Sequence, residues 1–438
     1  MRDLPTIQFC LAICLLLAIV RGDAPAQEVV TTSAEPESPP DSQARQVERI
    51  RQMVHSFGHE ASAPAQLLQL ARDLEPTVAS GLFLQIADDY LRAGHCDLAA
   101  NVLLQLLEQF PDEPIAADAT LLLMRLYCSS EVAHTQRQTL DAARQLRLPP
   151  GWRKLSATTE DASSPGDNSV SRTAGMLEYA LFVANSQLQQ HPELAKNSPF
   201  AFQCAVAARL SGRSQESKSW LTLLKHKRES AGWRTGALVE TWLADSSDRE
   251  APLPTTRCLS TDKPPYLDGI LNEPIWQTAE PLAPHSEIKK LKSEIFFAYD
   301  AEFCYVAVRC QRIAGAQYQK DNRPRTYDAD LEGHDHVVIR LDADRDYATY
   351  FELTIDHRGQ TADTCWRDTS WNPRWFVAAG GRTRSWTIEA AIPWAELAPA
   401  PPQAGEVWAL SARRVVPTQQ AMAPTDSPPE GFRLLIFN

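Results

Sequence analysis

The sequence predicts a multidomain α + β protein, an N-terminal α-helical array followed by a C-terminal antiparallel β-sandwich. Three observations carry that expectation. From about residue 46 the apolar residues recur with a helical period, most clearly in FLQIADDYLRAGHCDLAANVLLQLLEQFPDEP at 83–114. After a Ser-, Pro- and Thr-bearing stretch at 246–256 the period falls to 2 and stays there. The runs that follow are short and separated by turn residues at regular spacing, as in a sandwich.

Length and charge bound the rest. At 438 residues the chain has room for two or more domains, and 44% hydrophobic residues is enough to fill their cores. A net charge of −12 with no cluster of Lys and Arg argues against a general nucleic-acid or anionic-membrane binder. FCLAICLLLAIV at 9–20 is too short to span a bilayer comfortably and suits a signal-peptide core. Ala24-Pro25-Ala26 offers a cleavage site, so 1–26 is read as a signal peptide and the mature chain as exported, with no transmembrane helix. Residues 27–45, rich in Ser, Thr, Pro and Glu, read as a disordered spacer. Of nine cysteines seven follow the signal, an odd and scattered set without metal spacing, which reads as buried thiols.

Residues 46–245 are the helical domain. Ala87, Tyr90, Gly94, Ala99 and Pro111 stand where two helices of a tetratricopeptide repeat pack together, and the unit resembles one. A weaker copy lies at 201–230, with Gly212 at its turn, and 156–173 reads as a loop. Such an array is either a concave surface for a protein partner or a packing platform without a specific ligand.

Residues 246–256 read as a linker and 257–438 as the β-sandwich. Ile295, Phe297 and Tyr299 alternate up to a turn at Asp300, and Cys304, Val306, Val308 and Cys310 share a face on the way back. Phe351, Leu353 and Ile355 alternate with Glu352, Thr354 and Asp356 before His357-Arg358-Gly359 turns the chain. Gly380-Gly381 reads as the next turn, and Pro393 ends the strand through Trp386, Ile388, Ala390 and Ile392.

Five stretches in order resemble the family 9 carbohydrate-binding modules. Leu267-Asp268-Gly269-Ile270 with Trp276 is similar to the family's opening, and Phe297-Ala298-Tyr299-Asp300 with Phe303-Cys304-Tyr305-Val306-Ala307 to its first hairpin. Asp335 stands before a core strand, Trp386 to Trp394 matches a W-T-x-E-x-x-I-P strand, and Gly405-Glu406-Val407-Trp408 with Arg413-Arg414 matches the last long one. The resemblance implies a sandwich that binds glycan ends between tryptophans and accompanies polysaccharide breakdown.

The candidate site is the polar segment carrying three indoles. Trp366, Trp371 and Trp375 could stack on a sugar while Arg367, Asp368 and Asn372 address its hydroxyls. The alternative is that the rings cover the edge of the core. Asp342, Asp344 and Asp346 have the alternating carboxylates of a calcium loop, and such turns also form without metal. Tyr327, Asp328, Asp330, Glu332, His334, Asp335 and His336 make a dense acidic and histidine loop that reads as a ligand site or as solvated residues around one structural Asp. Together these features read as an exported, non-catalytic carbohydrate-binding protein with the helical part as scaffold or docking surface. Its alternative is a structural or protein-interaction module of the cell envelope. Glycoside hydrolysis by paired carboxylates stays open. So does haem ligation, for which Met422 is the one methionine after the linker.

Overall fold

A computed structural model describes residues 39–438 apart from short stretches within 57–61, 140–144, 150–167, 228–230, 246–249, 287–290, 316–323 and 418–430. The predicted signal peptide, most of the spacer and Met422 lie outside the described residues. Helix α1 (Pro39–Ser56) begins inside the stretch read as spacer. The residues from Arg49 to Asn438 form one compact unit.

Helices α2 (Ala63–Leu70), α3 (Pro76–Arg92), α4 (Cys96–Gln109), α5 (Ala116–Cys128), α6 (Ser130–Gln138), α7 (Asn168–Gln190), α8 (Ser198–Leu210), α9 (Ser214–Lys225) and α10 (Ala231–Asp245) follow. Helix α7 takes in the end of the stretch read as a loop at 156–173. The repeat-like hairpin is α3–α4. Ala87 and Ala99 are fully buried, so the two helices approach closely, and Gly94 takes φ +74° at the turn. The weaker copy is α8–α9, with Gly212 at φ +72°.

Ten strands follow among the described residues, β1 (Thr255–Ser260), β2 (Ser293–Tyr299), β3 (Phe303–Gln311), β4 (His336–Asp342), β5 (Phe351–Asp356), β6 (Thr361–Cys365), β7 (Phe376–Arg382), β8 (Ser385–Pro393), β9 (Val407–Val415) and β10 (Phe432–Phe437). They form one curled sheet in the order β6-β5-β4-β9-β10-β1-β2-β3-β8-β7. Strand β1 is the corner. Its first residues pair with β10, its last two with β2, and both pairings are parallel, while the other pairings between the described strands are antiparallel. The two halves meet through side chains. Trp394 touches Trp408 at 5.9 Å between centroids, and Tyr299 touches Phe437 at 5.3 Å.

The motif residues hold these layers together. Trp386 of β8 donates through Nε1 to Asp335 Oδ2 at 2.9 Å, and Arg414 of β9 grips the same carboxylate at 2.9 and 2.5 Å. Trp276, on the short helix α11 (Pro274–Thr278), donates to Glu389 at 2.9 Å while the Gly269 N–H donates to its other oxygen at 2.8 Å. Gly380 and Gly381 are not a turn but part of β7. A Cβ at Gly380 would lie 2.2 Å from the Gly269 carbonyl oxygen, so this glycine serves close backbone approach.

Most strands are buried on both faces, β5 for example, where simple alternation predicted one wet face. The segment around Leu271, Trp276 and Ala279 covers β2, β3 and β8, and the helical array covers β9 and β10. Phe202 and Ala205 of α8 and Leu221 of α9 pack against Tyr347, Ala409 and Phe432, and Val239 of α10 packs against Val407 and Leu434. Ala251 and Leu253, in the stretch read as a linker, join this packing. Burying such side chains contributes about 1.5–3 kcal/mol each, so the array is part of the sandwich's core.

Candidate functional site

The tryptophan segment leaves β6 through Trp366, whose φ of +53° is unusual for a bulky residue and reverses the chain. Its N–H donates to the Tyr350 carbonyl at 2.7 Å. Beyond it the chain meets helix α3. Arg367 pairs with Asp88, and both the N–H and the hydroxyl of Thr369 donate to the Arg92 carbonyl, at 3.0 and 2.9 Å. That carbonyl is one of the last of α3 and has no partner within the helix. Asp368 accepts from the N–H and hydroxyl of Ser370 at 2.8 and 2.7 Å. Both side chains lie against Gly94, where a Cβ would come within 2.7 Å of Ser370 Oγ.

Trp371 then turns inward and packs on Phe351 at 4.8 Å, with 8% of its surface exposed. Trp375 is 2% exposed and donates from Nε1 to Asp363 Oδ2 at 3.3 Å. The two rings therefore present almost no open face, and the expectation of a stacking face built from them does not hold in this arrangement. The docking of 366–370 on α3 and the apolar surface of β5 draw them in. Trp366 is half-buried with Arg367 over its ring at 5.8 Å, and Asn372 is exposed, donating to the Ser370 carbonyl.

An accessible aromatic lies on the other side of Trp375. Arg325 sits between two rings, 5.5 Å from the centroid of Trp375 and 5.9 Å from that of Tyr327. It is held there by a 2.6 Å hydrogen bond to the Trp375 carbonyl. Tyr327 is 54% exposed, and Asp328, Asp330 and Glu332 stand exposed in the same loop. Below the rings, burial pushes the Asp363 carboxyl up to about 7. The Trp375 hydrogen bond and Arg325 oppose that rise, and Asp328 adds to it. Tyr327 was visible in the sequence as part of an acidic loop. Arg325 and Asp363 carried no signal, because a stack formed across β6 leaves no spacing to read.

The rest of that loop is structural. Asp335 is the buried anchor of Trp386 and Arg414, and His336 Nδ1 lies 2.8 Å from the His334 carbonyl. His334, Asp356 and His357 bring ligand-type atoms within 4.8 Å of one another, but Asp356 is already paired with Arg358 at 2.6 Å. The three aspartates of the calcium-like turn are buried, and Glu131 of α6 stands beside Asp342 and Asp344. All seven cysteines of the described residues are buried and none is joined in a disulfide. In the helical array a cavity of about 550 Å³ opens between α4 and α7, lined by Leu107, Pro111, Tyr179, Phe182 and Gln187.

No family model matches the chain, and no curated protein matches it. Among solved structures the chain is similar to a carbohydrate-binding module of family 9 from Caldicellulosiruptor kristjanssonii. In its complex with cellotriose that module is 15% identical, with 42% of this chain and 93% of that one covered and a TM-score of 0.30. In its complex with glucose it is 16% identical over 42% and 95%, again at 0.30. A protein of Bacteroides uniformis aligns over 42% of this chain and all of its own length, at 10% identity and a TM-score of 0.28.

Proposed function

We propose that the sandwich binds carbohydrate on the Tyr327 platform, in an exported, non-catalytic protein whose helical array serves as scaffold. The observation that carries this reading is the stack Tyr327–Arg325–Trp375. It backs an exposed phenol with a fixed cation and a buried indole, so the ring is held in place before a ligand arrives. Sugar C–H groups pack on such a face, and the exposed carboxylates of Asp328, Asp330 and Glu332 accept hydrogen bonds from hydroxyls. The five family-like stretches of sequence point the same way, and each has a structural duty in the fold just described.

A glycan array followed by calorimetric titration tests it, with glucose and cellotriose among the probes. Tyr327→Ala should weaken binding by about 1–3 kcal/mol, roughly one to two decades. A wild type that binds no glycan, or a Tyr327→Ala chain that binds as tightly, would overturn the proposal.

One observation favours a second reading, a protein-interaction module. Phe182 is 39% exposed and stacks on Tyr179 beside the cavity in the helical array, an apolar patch that suits a peptide partner. Phe182→Asp would abolish capture of such a partner and leave glycan binding untouched.

A further inference from the structure

We propose that Glu131, Asp342, Asp344 and Asp346 form a buried site for one hard divalent cation, calcium first, that joins the helical array to the sandwich. Asp342 ends β4, Asp344 and Asp346 come from the loop after it, and Glu131 comes from the first turn of α6. Glu131 and its hydrogen-bond partner Ala343 are 212 residues apart in sequence. The four are 1%, 0%, 4% and 1% exposed in the order named. Glu131, Asp342 and Asp344 each bring a carboxylate oxygen within 4.8 Å of the others.

Acidic turns are common, but this one has an unmet acceptor at its heart. Asp342 accepts the Tyr347 N–H through Oδ2 at 2.8 Å, while its Oδ1 is buried and has no partner. A buried oxygen bearing a share of a full negative charge costs stability unless something positive meets it. Two of the nearby cations pair with Glu240, and a third, Arg125, acts on Asp346. Arg209 reaches the Asp344 carbonyl and pairs with Glu240 at 3.1 Å, and Arg345 pairs with Glu240 at 2.8 Å.

The other carboxylates are aimed by backbone N–H groups. Ser130 donates to Asp344 at 2.7 Å, Ala343 to Glu131 at 2.6 Å and Thr349 to Asp346 at 2.6 Å. The oxygens so held on Asp344 and Glu131 keep a lone pair for a cation, and on Asp346, whose Oδ1 accepts from both Ala348 and Thr349, the oxygen left for one is Oδ2, the arrangement in which surrounding donors orient metal ligands. Burial pushes all four carboxyls upward, and repulsion from neighbouring carboxylates adds to the rise at Glu131, Asp342 and Asp346. The donors are all oxygens, which selects calcium over zinc, and calcium accepts the irregular geometry of a loop set against a helix. Such an ion would fasten α6 to the β4–β5 loop.

The test is terbium luminescence and calcium titration on the full chain, beside thermal melts with and without chelator. One saturable site and a calcium-dependent rise of several degrees in Tm are expected. Glu131→Gln and Asp342→Asn should each weaken binding at least tenfold. Because each removes a buried negative charge, the chelated variants should melt at or above the chelated wild type, so lost binding cannot be lost folding. No saturable signal and no shift in Tm at millimolar calcium would overturn the proposal, as would full affinity in both variants.

Discussion

Two loops flank Trp375 and met opposite fates. The segment 365–376 is rich in indoles and polar residues and looks like a surface for a ligand, yet Trp371 and Trp375 are buried. The loop at 325–336 holds one aromatic among acidic residues and looks like solvated chain, yet Tyr327 is 54% exposed above a stacked guanidinium. The difference is what each loop meets. Helix α3, nearly three hundred residues earlier, receives Arg367 and Thr369 and closes over the first loop, while the second ends at the rim of β6 and keeps Tyr327 exposed among the described residues. A polar neighbourhood therefore says little about a ring's exposure when a distant element supplies the cover.

The largest effect should separate the loops by stability. Trp375→Ala empties a buried site and should cost about 3–5 kcal/mol, read as a lower denaturation midpoint. Tyr327→Ala should stay within about 0.5 kcal/mol of wild type, since an exposed ring leaves little cavity. Equal losses would mean that the two rings belong to one core.

A smaller effect concerns pH. The Asp363 carboxyl is raised from 3.8 to about 7 in the folded chain, so between those values the folded state holds a proton that the unfolded state has lost. Stability from this group is therefore fully present at low pH and falls as pH rises through that window, levelling off above about 7. Asp363→Asn cannot titrate. The melting difference between it and wild type should shift in favour of the variant from pH 4.5 to 7.5, by on the order of 1 kcal/mol or more. A difference that does not change with pH would show Asp363 ionised throughout.

The smallest effect belongs to the docked segment. The Arg367–Asp88 pair is partly exposed, at 39% and 23%, so solvent screens it. Arg367→Ala should cost less than about 1 kcal/mol at low salt and less still at high salt. Gly94→Ala should cost more, because a Cβ there strains a φ of +74° and strikes Asp368 and Ser370. A larger loss at Arg367 than at Gly94 would place the docking energy in the ion pair and not in the close approach.

What the sequence determined by itself was local. Period 3.6 and then period 2 placed the helical array and the strands, because side-chain direction repeats with the backbone geometry. The small residues Ala87 and Ala99 and the turn at Gly94 marked the α3–α4 hairpin. Asp335, Trp276 and Trp386 stood out through motifs, and each proved to be a joint between layers. Tertiary structure alone decided where strands went and what covered them. Gly380-Gly381 read as a turn because glycine permits one, but the close pass of Gly269 requires glycine equally. Strand β1 had no reading of its own, its first two residues falling in the stretch read as a linker, and only the closing of the sheet set it parallel at the corner. Glu131 sat in an ordinary polar helix until folding brought it beside Asp342 and Asp344. Periodicity reports which face of an element is apolar, whereas burial of Trp371, exposure of Tyr327 and the meeting of four carboxylates depend on contacts between residues far apart in the chain.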